Sequence, residues 1–173
     1  QLTERRQLLP WLTADCYGQM TPADVFSGAL HSFAGGASGF AFFSDTGLDD
    51  PAKVLALSTA AGLAVEFEQH LFTGSSVAAP DQLTYGDNVL AGAGMRVGLD
   101  VFLVVTPKAP GPMELTLALP FGSATALHVC EVISGQSHSI GVHAGATRLS
   151  VDALGTVVLH LTPAKPPSCA PTS

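Results

Sequence analysis

Positively charged residues are scarce in this sequence. Lysine and arginine together number 7, against 14 aspartates and glutamates, which gives a net charge of −7. The one basic cluster is Arg5-Arg6. Proteins that bind DNA or RNA through the phosphates need a basic patch or stripe on their surface. We therefore expect no nucleic-acid partner.

Long apolar runs are lacking as well. The longest uninterrupted apolar stretches are pieces such as Val101–Val105, whereas a membrane-spanning helix requires roughly 18–20 apolar residues. The opening residues, QLTERRQLL, do not form the basic and then apolar segment of a secretory leader. We expect no membrane span, and we expect Gln1 to be a processed end or a point within a longer polypeptide.

Charge of either sign is low, although the sequence is rich in apolar residues. Charged residues make up 12% and hydrophobic residues 47% of the chain, and soluble domains have roughly 25% charged residues. This composition excludes a disordered chain and indicates an unusually neutral surface. We expect part of that surface to be covered by a partner or by further sequence.

Cysteines are few and show no metal-binding spacing. Cys16, Cys130 and Cys169 lie far apart in the sequence, and an odd number leaves at least one of them unpaired or paired outside this chain. Cys169 lies in a segment rich in proline and serine, which suggests a tether to another segment or to another chain.

The histidines show no metal-binding pattern either. No two of them have the HxxxH spacing of a helical ligand pair, and a zinc site needs three or four ligands that converge. The sequence therefore predicts no metal site and no cofactor. The six are His31, His70, His128, His138, His143 and His160.

The first 70 residues alternate apolar strands with capped helices. Buried strands are predicted at Leu8–Thr13 and Gly39–Phe43, and helices are predicted to begin at Thr21 and at Asp50-Pro51. The second helix is expected to extend to about His70. This order predicts parallel strands with right-handed crossovers.

In the second helix the 3.6-residue period marks one side as apolar. The residues on that side are Val54, Leu57, Ala61, Val65 and Glu68.

From about Gly74 the pattern changes to short strands separated by turn residues. Strands spaced about 8–12 residues apart are typical of an antiparallel sandwich or barrel. The sequence thus predicts βα units over residues 1–74, an antiparallel β-sandwich over 75–163 and a tail rich in proline and serine over 164–173.

Five segments in this order resemble the C-terminal end of a glycoside hydrolase, in which a TIM barrel is followed by an antiparallel β-domain. They are LLPWLTADCYGQMTPADVFSGALHSFAGGASGFAFFS, DDPAKVLALSTAAGLAVEFEQHLFTG, GMRVGLDVFLVVTPKAPGPMELTLALP, ATALHVCEVISGQSH and LSVDALGTVVLHLTP. The resemblance implies an α/β plus all-β fold: the last two βα units of a (β/α)8 barrel, then a small antiparallel β-sandwich. The first six barrel strands would precede Gln1.

The resemblance also implies where a site would lie. Barrel enzymes carry their sites in the loops after the strands, and most glycosidases use two carboxylates. Asp15 is the candidate catalytic carboxylate, although a solvated loop aspartate is the simpler interpretation. Asp45 and Tyr17 are candidates for binding the sugar. Trp11 is a further candidate sugar platform, but its place in an apolar strand favours packing in the core.

Two main functional hypotheses follow. In the first, the chain is the C-terminal part of a secreted glycoside hydrolase, which acts on carbohydrate once the upstream part of the polypeptide, or a companion chain, completes the barrel. In the second, the same fold is a catalytically inactive structural subunit of an extracellular assembly. The second is favoured by the low charge and by the lack of a glutamate after the predicted seventh strand. A stand-alone carbohydrate-binding sandwich is a third and weaker alternative.

Overall fold

The computed structural model describes residues 20–37, 49–77, 82–118, 126–164 and 169, together with the strand backbone of residues 11–12 and 41–42. Strands β1 (Trp11–Leu12) and β2 (Ala41–Phe42) pair in parallel, with Trp11 opposite Ala41 and Leu12 opposite Phe42. The parallel pairing predicted from the sequence is confirmed for these residues.

Helix α1 (Pro22–Ala34) begins at the capping box that the sequence predicts. The backbone N–H of Asp24 donates to the side-chain oxygen of Thr21 (3.3 Å), and the backbone N–H of Thr21 donates to the carboxylate of Asp24 (2.7 Å). These bonds satisfy backbone donors that a helix start otherwise leaves unpaired. The helix ends at Gly35, and Gly36 follows with a φ of 94°, a conformation that glycine adopts without strain.

The second helical segment is divided at Phe67. Helix α2 (Pro51–Glu66) is capped by the Asp50 side chain, and the short helix α3 (Glu68–Thr73) follows. Phe67 has φ −100° and ψ 22°, outside the regular helical range. The predicted continuous helix to His70 is therefore wrong at this one residue.

The side of α2 that the period marks as apolar is only partly buried. Leu57 of this side packs against the core, whereas Val54 and Val65 are 45% and 73% exposed. Ala60 and Leu63, on a neighbouring side, are buried. Because apolar residues occur around most of the helix, periodicity is too weak to choose which side packs.

Nine further strands follow the helices. They are β3 (Ser75–Ser76), β4 (Leu83–Tyr85), β5 (Val89–Val97), β6 (Asp100–Pro107), β7 (Gly111–Ala118), β8 (Ala126–Glu131), β9 (Gln136–Gly141), β10 (Ala146–Ala153) and β11 (Val157–Thr162). β5 runs without a break from Val89 to Val97. β9 was not predicted because its residues are polar and mostly exposed.

These strands form two antiparallel sheets. The larger has the order β3-β5-β6-β11-β8-β9, and the smaller has the order β10-β7-β4. Apolar side chains of both sheets form one buried cluster, to which β6 contributes Val101, Leu103 and Val105. The two sheets therefore pack face to face.

The helices pack on the other face of the six-stranded sheet. Phe102 and Val104 of β6 join a second buried cluster with Leu30 of α1, Leu63 of α2 and Phe67. Residues Val101–Val105 are thus buried on both faces of the strand, which explains why this run is wholly apolar.

A disulfide joins Cys130 of β8 to Cys169. The tether predicted for Cys169 is confirmed, and its partner is a segment of this chain. In the described part of the chain, no helix combines the length and the apolar character that crossing a membrane requires.

Candidate functional site

The four site residues predicted from the sequence fall where the structure gives no side chains. Asp15, Tyr17 and Asp45 lie outside the described residues, and Trp11 is described only as part of strand β1. The structure does place the carboxyl ends of β1 and β2 side by side, because Leu12 pairs with Phe42. The roles of these four residues stay predictions.

Among the described residues, one group of side chains has the donor atoms to hold a metal ion, and it consists of His70, Asp100 and His160. His70 lies on α3, Asp100 begins β6, and His160 lies near the middle of β11. One nitrogen or oxygen atom of each residue lies within 4.8 Å of the corresponding atoms of the other two. The cluster thus joins the end of the helical segment to two neighbouring strands of the six-stranded sheet.

Strand alternation explains how His160 reaches the helices. Leu159 and Leu161 face the core between the two sheets, so His160 and Val158 face the helices. The ring of Phe67 meets the His160 ring at 5.3 Å and the His70 ring at 5.8 Å between centroids. The two imidazole rings themselves are 5.6 Å apart, in edge-to-face contact.

Two nitrogens of this cluster are buried and have no hydrogen-bond partner in the part of the chain that the structure describes. They are the Nε2 atoms of His70 and His160. His70 as a whole is 9% exposed. A buried polar atom that makes no hydrogen bond costs roughly 1–3 kcal/mol, so this pair of atoms calls for a physical explanation.

Burial favours the neutral form of both imidazoles. Burial lowers the pKa of His70, the neighbouring His160 lowers it further, and the carboxylate of Asp100 raises it. Burial also lowers the pKa of His160, against the opposing effects of Asp100 and Glu66. Two neutral imidazoles beside a carboxylate form a nitrogen and oxygen donor set of the kind that binds transition metals.

A second polar group lies between α1 and the six-stranded sheet. The side-chain oxygen of Thr106 lies 2.9 Å from Nε2 of His31, 3.0 Å from the Ser27 hydroxyl and 2.8 Å from the Thr156 hydroxyl. Burial lowers the pKa of His31. These contacts join Ser27 and His31 of α1 to Thr106 of β6, so this group helps to fix α1 on the sheet.

An open groove of about 660 Å³ lies at the end of the two-sheet unit, between the β8–β9 and β10–β11 connections. Its two carboxylates are Glu131 and Asp152. Glu131 accepts hydrogen bonds from the backbone N–H groups of Ile133 and Ser134, so it stabilises its own turn. The groove therefore lacks the pair of uncommitted carboxylates that glycosidase chemistry requires.

Sequence reasoning missed the histidine and aspartate cluster because its members lie 30 and 60 residues apart. One signal was present in the sequence. His160 interrupts the otherwise apolar run VVLHL of the closing strand, and a polar residue in such a run needs a partner when the strand is buried.

Comparison with known proteins gives matches to solved structures alone. Neither a protein-family model nor a curated protein matches the sequence. Similar structures include an α-amylase from Geobacillus thermoleovorans complexed with acarbose, with 12% identity and a TM-score of 0.54 over 84% of this chain. A putative α-N-acetylgalactosaminidase from Bacillus halodurans has 10% identity and a TM-score of 0.52 over 87%. A glycoside hydrolase family 30 xylanase from Clostridium acetobutylicum has 12% identity and a TM-score of 0.51 over 87%.

The similarity covers most of this chain but only part of each enzyme. The matched region is 34% of the amylase chain, 34% of the galactosaminidase chain and 42% of the xylanase chain. At these identities the comparison shows a shared fold. This chain therefore has the fold of one part of several glycoside hydrolases, and it spans less than half of their length.

Proposed function

We propose that this chain is the C-terminal part of a secreted glycoside hydrolase-like protein. Strands β1 and β2 with helices α1 and α2 are the last two units of a (β/α)8 barrel, and the two antiparallel sheets form the β-sandwich that follows it. The complete protein hydrolyses glycosidic bonds. The shared fold with an amylase, a galactosaminidase and a xylanase supports this proposal.

The observation that carries the proposal is the exposed apolar side of α2, which we call the outer face and define as Val54, Ala61 and Val65. All three residues are exposed. Exposed apolar surface of this kind on a helix is typical of a face that another part of the protein covers. An apolar groove of about 260 Å³, lined in part by Ala61 and Val65, opens beside the outer face. The remaining helices of a barrel are the proposed cover.

The parallel pair β1–β2 supports the same proposal. Parallel strands occur almost only in sheets that helices cover on their faces. In a closed eight-stranded barrel each strand has a neighbour on both sides. The proposal therefore places the first barrel strand beside β2 and the sixth beside β1.

In this proposal Asp15 and Asp45 follow the carboxyl ends of the two barrel strands, where TIM-barrel enzymes carry their sites. Asp15 supplies a carboxylate to the reaction, and an upstream strand supplies the second one. Tyr17 and Trp11 stack on the apolar faces of sugar rings, and Asp45 hydrogen-bonds to sugar hydroxyls.

The direct experiment is a hydrolysis assay on the full polypeptide that carries this sequence, with a panel of aryl α- and β-glycosides. We expect release of the aryl group from at least one of them. Removing a catalytic acid or base typically costs about 10²–10⁴-fold in rate, so Asp15→Asn should lower kcat by at least 10²-fold. Asp152→Asn, which changes an exposed carboxylate of the two-sheet unit, is the matched control and should leave kcat unchanged.

A second candidate function is that of an inactive structural subunit in an extracellular assembly. It is favoured by two exposed apolar side chains that line the same groove of the two-sheet unit, Ile133 and Leu154, which are 47% and 91% exposed. Exposed apolar surface of this kind is typical of contacts with other proteins. Failure of the full polypeptide to cleave any glycoside, with normal folding, would favour this function.

Both candidate functions place the protein outside the cell or on its surface. The disulfide Cys130–Cys169 supports this location, because disulfides persist in oxidising compartments. Fractionation of the source cells should recover the polypeptide in the medium or the surface fraction. Recovery in the reducing cytosol would contradict the proposal.

A further inference from the structure

We propose that His70, Asp100 and His160 form a zinc site that ties helix α3 to the six-stranded sheet. The sequence pattern predicts no metal site, since these residues are distant along the chain. The proposal is independent of glycosidase activity, because it concerns a cluster on the helix-facing side of the sheet and none of the loops after β1 and β2.

The first support is the geometry of the three side chains. Their donor atoms lie within 4.8 Å of one another. A tetrahedral zinc ion holds nitrogen and oxygen ligands at about 2.0–2.2 Å, which places two ligand atoms about 3.4 Å apart. The three donor atoms already lie close together, and modest rotations of the side chains bring them to the spacing that a zinc ion requires.

The second support is the unsatisfied state of the imidazoles. Nε2 of His70 and Nε2 of His160 are buried and have no hydrogen-bond partner among the described residues. A metal ion accepts a lone pair from each nitrogen at once. One ion bound to both nitrogens thereby removes the cost of two unpaired buried atoms.

The donor set favours zinc over calcium and magnesium. Calcium and magnesium prefer oxygen ligands, and imidazole nitrogen suits zinc and the later transition metals. Two histidines and one aspartate give three protein ligands, which leaves a fourth tetrahedral position for water.

The position of the site indicates what the metal does. Its ligands come from a short helix and two adjacent strands, and the rings lie against Phe67 at the division between α2 and α3. A metal that binds the folded chain but not the unfolded chain stabilises the fold. The zinc ion therefore fastens the helical layer to the sheet.

The experiment is a metal titration of the full 173-residue chain, expressed without a histidine tag and stripped with EDTA. Isothermal titration with Zn²⁺ should show one ion bound per chain, and the melting temperature should rise with Zn²⁺ but not with Mg²⁺. Co²⁺ should give the visible absorption bands of a tetrahedral site.

Three variants distinguish this site from incidental binding. Asp100→Asn keeps the size of a half-buried side chain, and His160→Gln removes an imidazole; each should weaken zinc binding at least tenfold. His138→Gln changes an exposed histidine of β9 and should leave binding unchanged. If His160→Gln fails to fold, Asp100→Asn alone decides the test.

Two results would overturn the zinc site. One is a chain that binds no Zn²⁺ at micromolar concentrations. The other is binding that Asp100→Asn leaves intact and that His138→Gln abolishes, since this would assign the ion to exposed histidines. Neither result bears on the hydrolysis assay, so the two proposals fail or survive separately.

Discussion

At the scale of single residues, two kinds of contact hold the helices in place. Thr21 and Asp24 cap the start of α1 through hydrogen bonds between close neighbours along the chain. His70, Asp100 and His160 come from distant parts of the sequence, and they meet only because β6 and β11 pair in one particular register.

The capping box gives the first prediction. Thr21→Ala removes the side-chain acceptor of the Asp24 N–H, and loss of such a cap typically costs about 1 kcal/mol. We expect urea unfolding of the chain to show a loss of this size. Thr59→Ala, in the interior of α2 where threonine is a poorer helix former than alanine, is the control and should not destabilise the chain. Equal effects of the two changes would contradict the assigned cap.

His31 gives a prediction about pH. Burial lowers the pKa of His31 from its ordinary value of 6.5. At a pH between the lowered pKa and 6.5, the imidazole is therefore protonated in the unfolded chain but not in the folded chain. The contribution of His31 to stability is thus present above pH 6.5 and is lost as the pH falls towards the lowered pKa.

The measurement is the free energy of unfolding between pH 7.5 and pH 5, taken for the wild type and for His31→Gln. The wild type should lose more stability on acidification than the variant does. His138→Gln, at an exposed position, should retain the wild-type slope. A His31→Gln chain with the full wild-type slope would refute the assignment.

At the scale of elements, the limit of sequence reasoning is clearest in α2. Its caps and its approximate length follow from local residues, but both sides of the helix are apolar and only tertiary packing decides which one is buried. β9 shows a related limit. Its residues QSHSIG carry little apolar alternation, and the strand forms because β8 offers it an edge to pair with.

The two sides of α2 can be compared by truncation in the 173-residue chain. Leu63 is 4% exposed, and Leu63→Ala should cost about 2–5 kcal/mol, the usual range for a buried leucine. Val65 is 73% exposed, and Val65→Ala should change stability by no more than about 0.5 kcal/mol. Chemical unfolding measures both. A larger loss for Val65 than for Leu63 would mean that the helix packs through the side predicted from the sequence.

At the scale of the whole molecule, the sequence predicts the order of the helices and strands, but only part of how the strands combine into sheets. Turn residues at regular intervals predicted antiparallel strands after Gly74, and the structure has nine strands there among its described residues. Which strand joins which sheet depends on contacts between distant residues, such as β11 between β6 and β8. The site predicted at Asp15 and Asp45 awaits a test, because it depends on the barrel that the proposal places around β1 and β2.

We also expect a substitution on the outer face to have different effects in this chain and in the complete protein. Val65→Asp should be tolerated in the 173-residue chain, where Val65 is exposed. In the full polypeptide the same change should be strongly destabilising, because it would bury an unpaired carboxylate against the rest of the barrel. Thermal unfolding of both proteins makes the comparison, and equal effects in the two would argue against a covered outer face.

The intact mass of the native polypeptide that carries this sequence, with and without reduction, shows whether the chain is part of a larger barrel protein. A (β/α)8 barrel alone takes about 250 residues. We therefore expect a mass well above the 17.7 kDa of this chain, or a companion chain bound to it that supplies the other strands. A native polypeptide of 17.7 kDa with no companion would contradict it, since the barrel could not close.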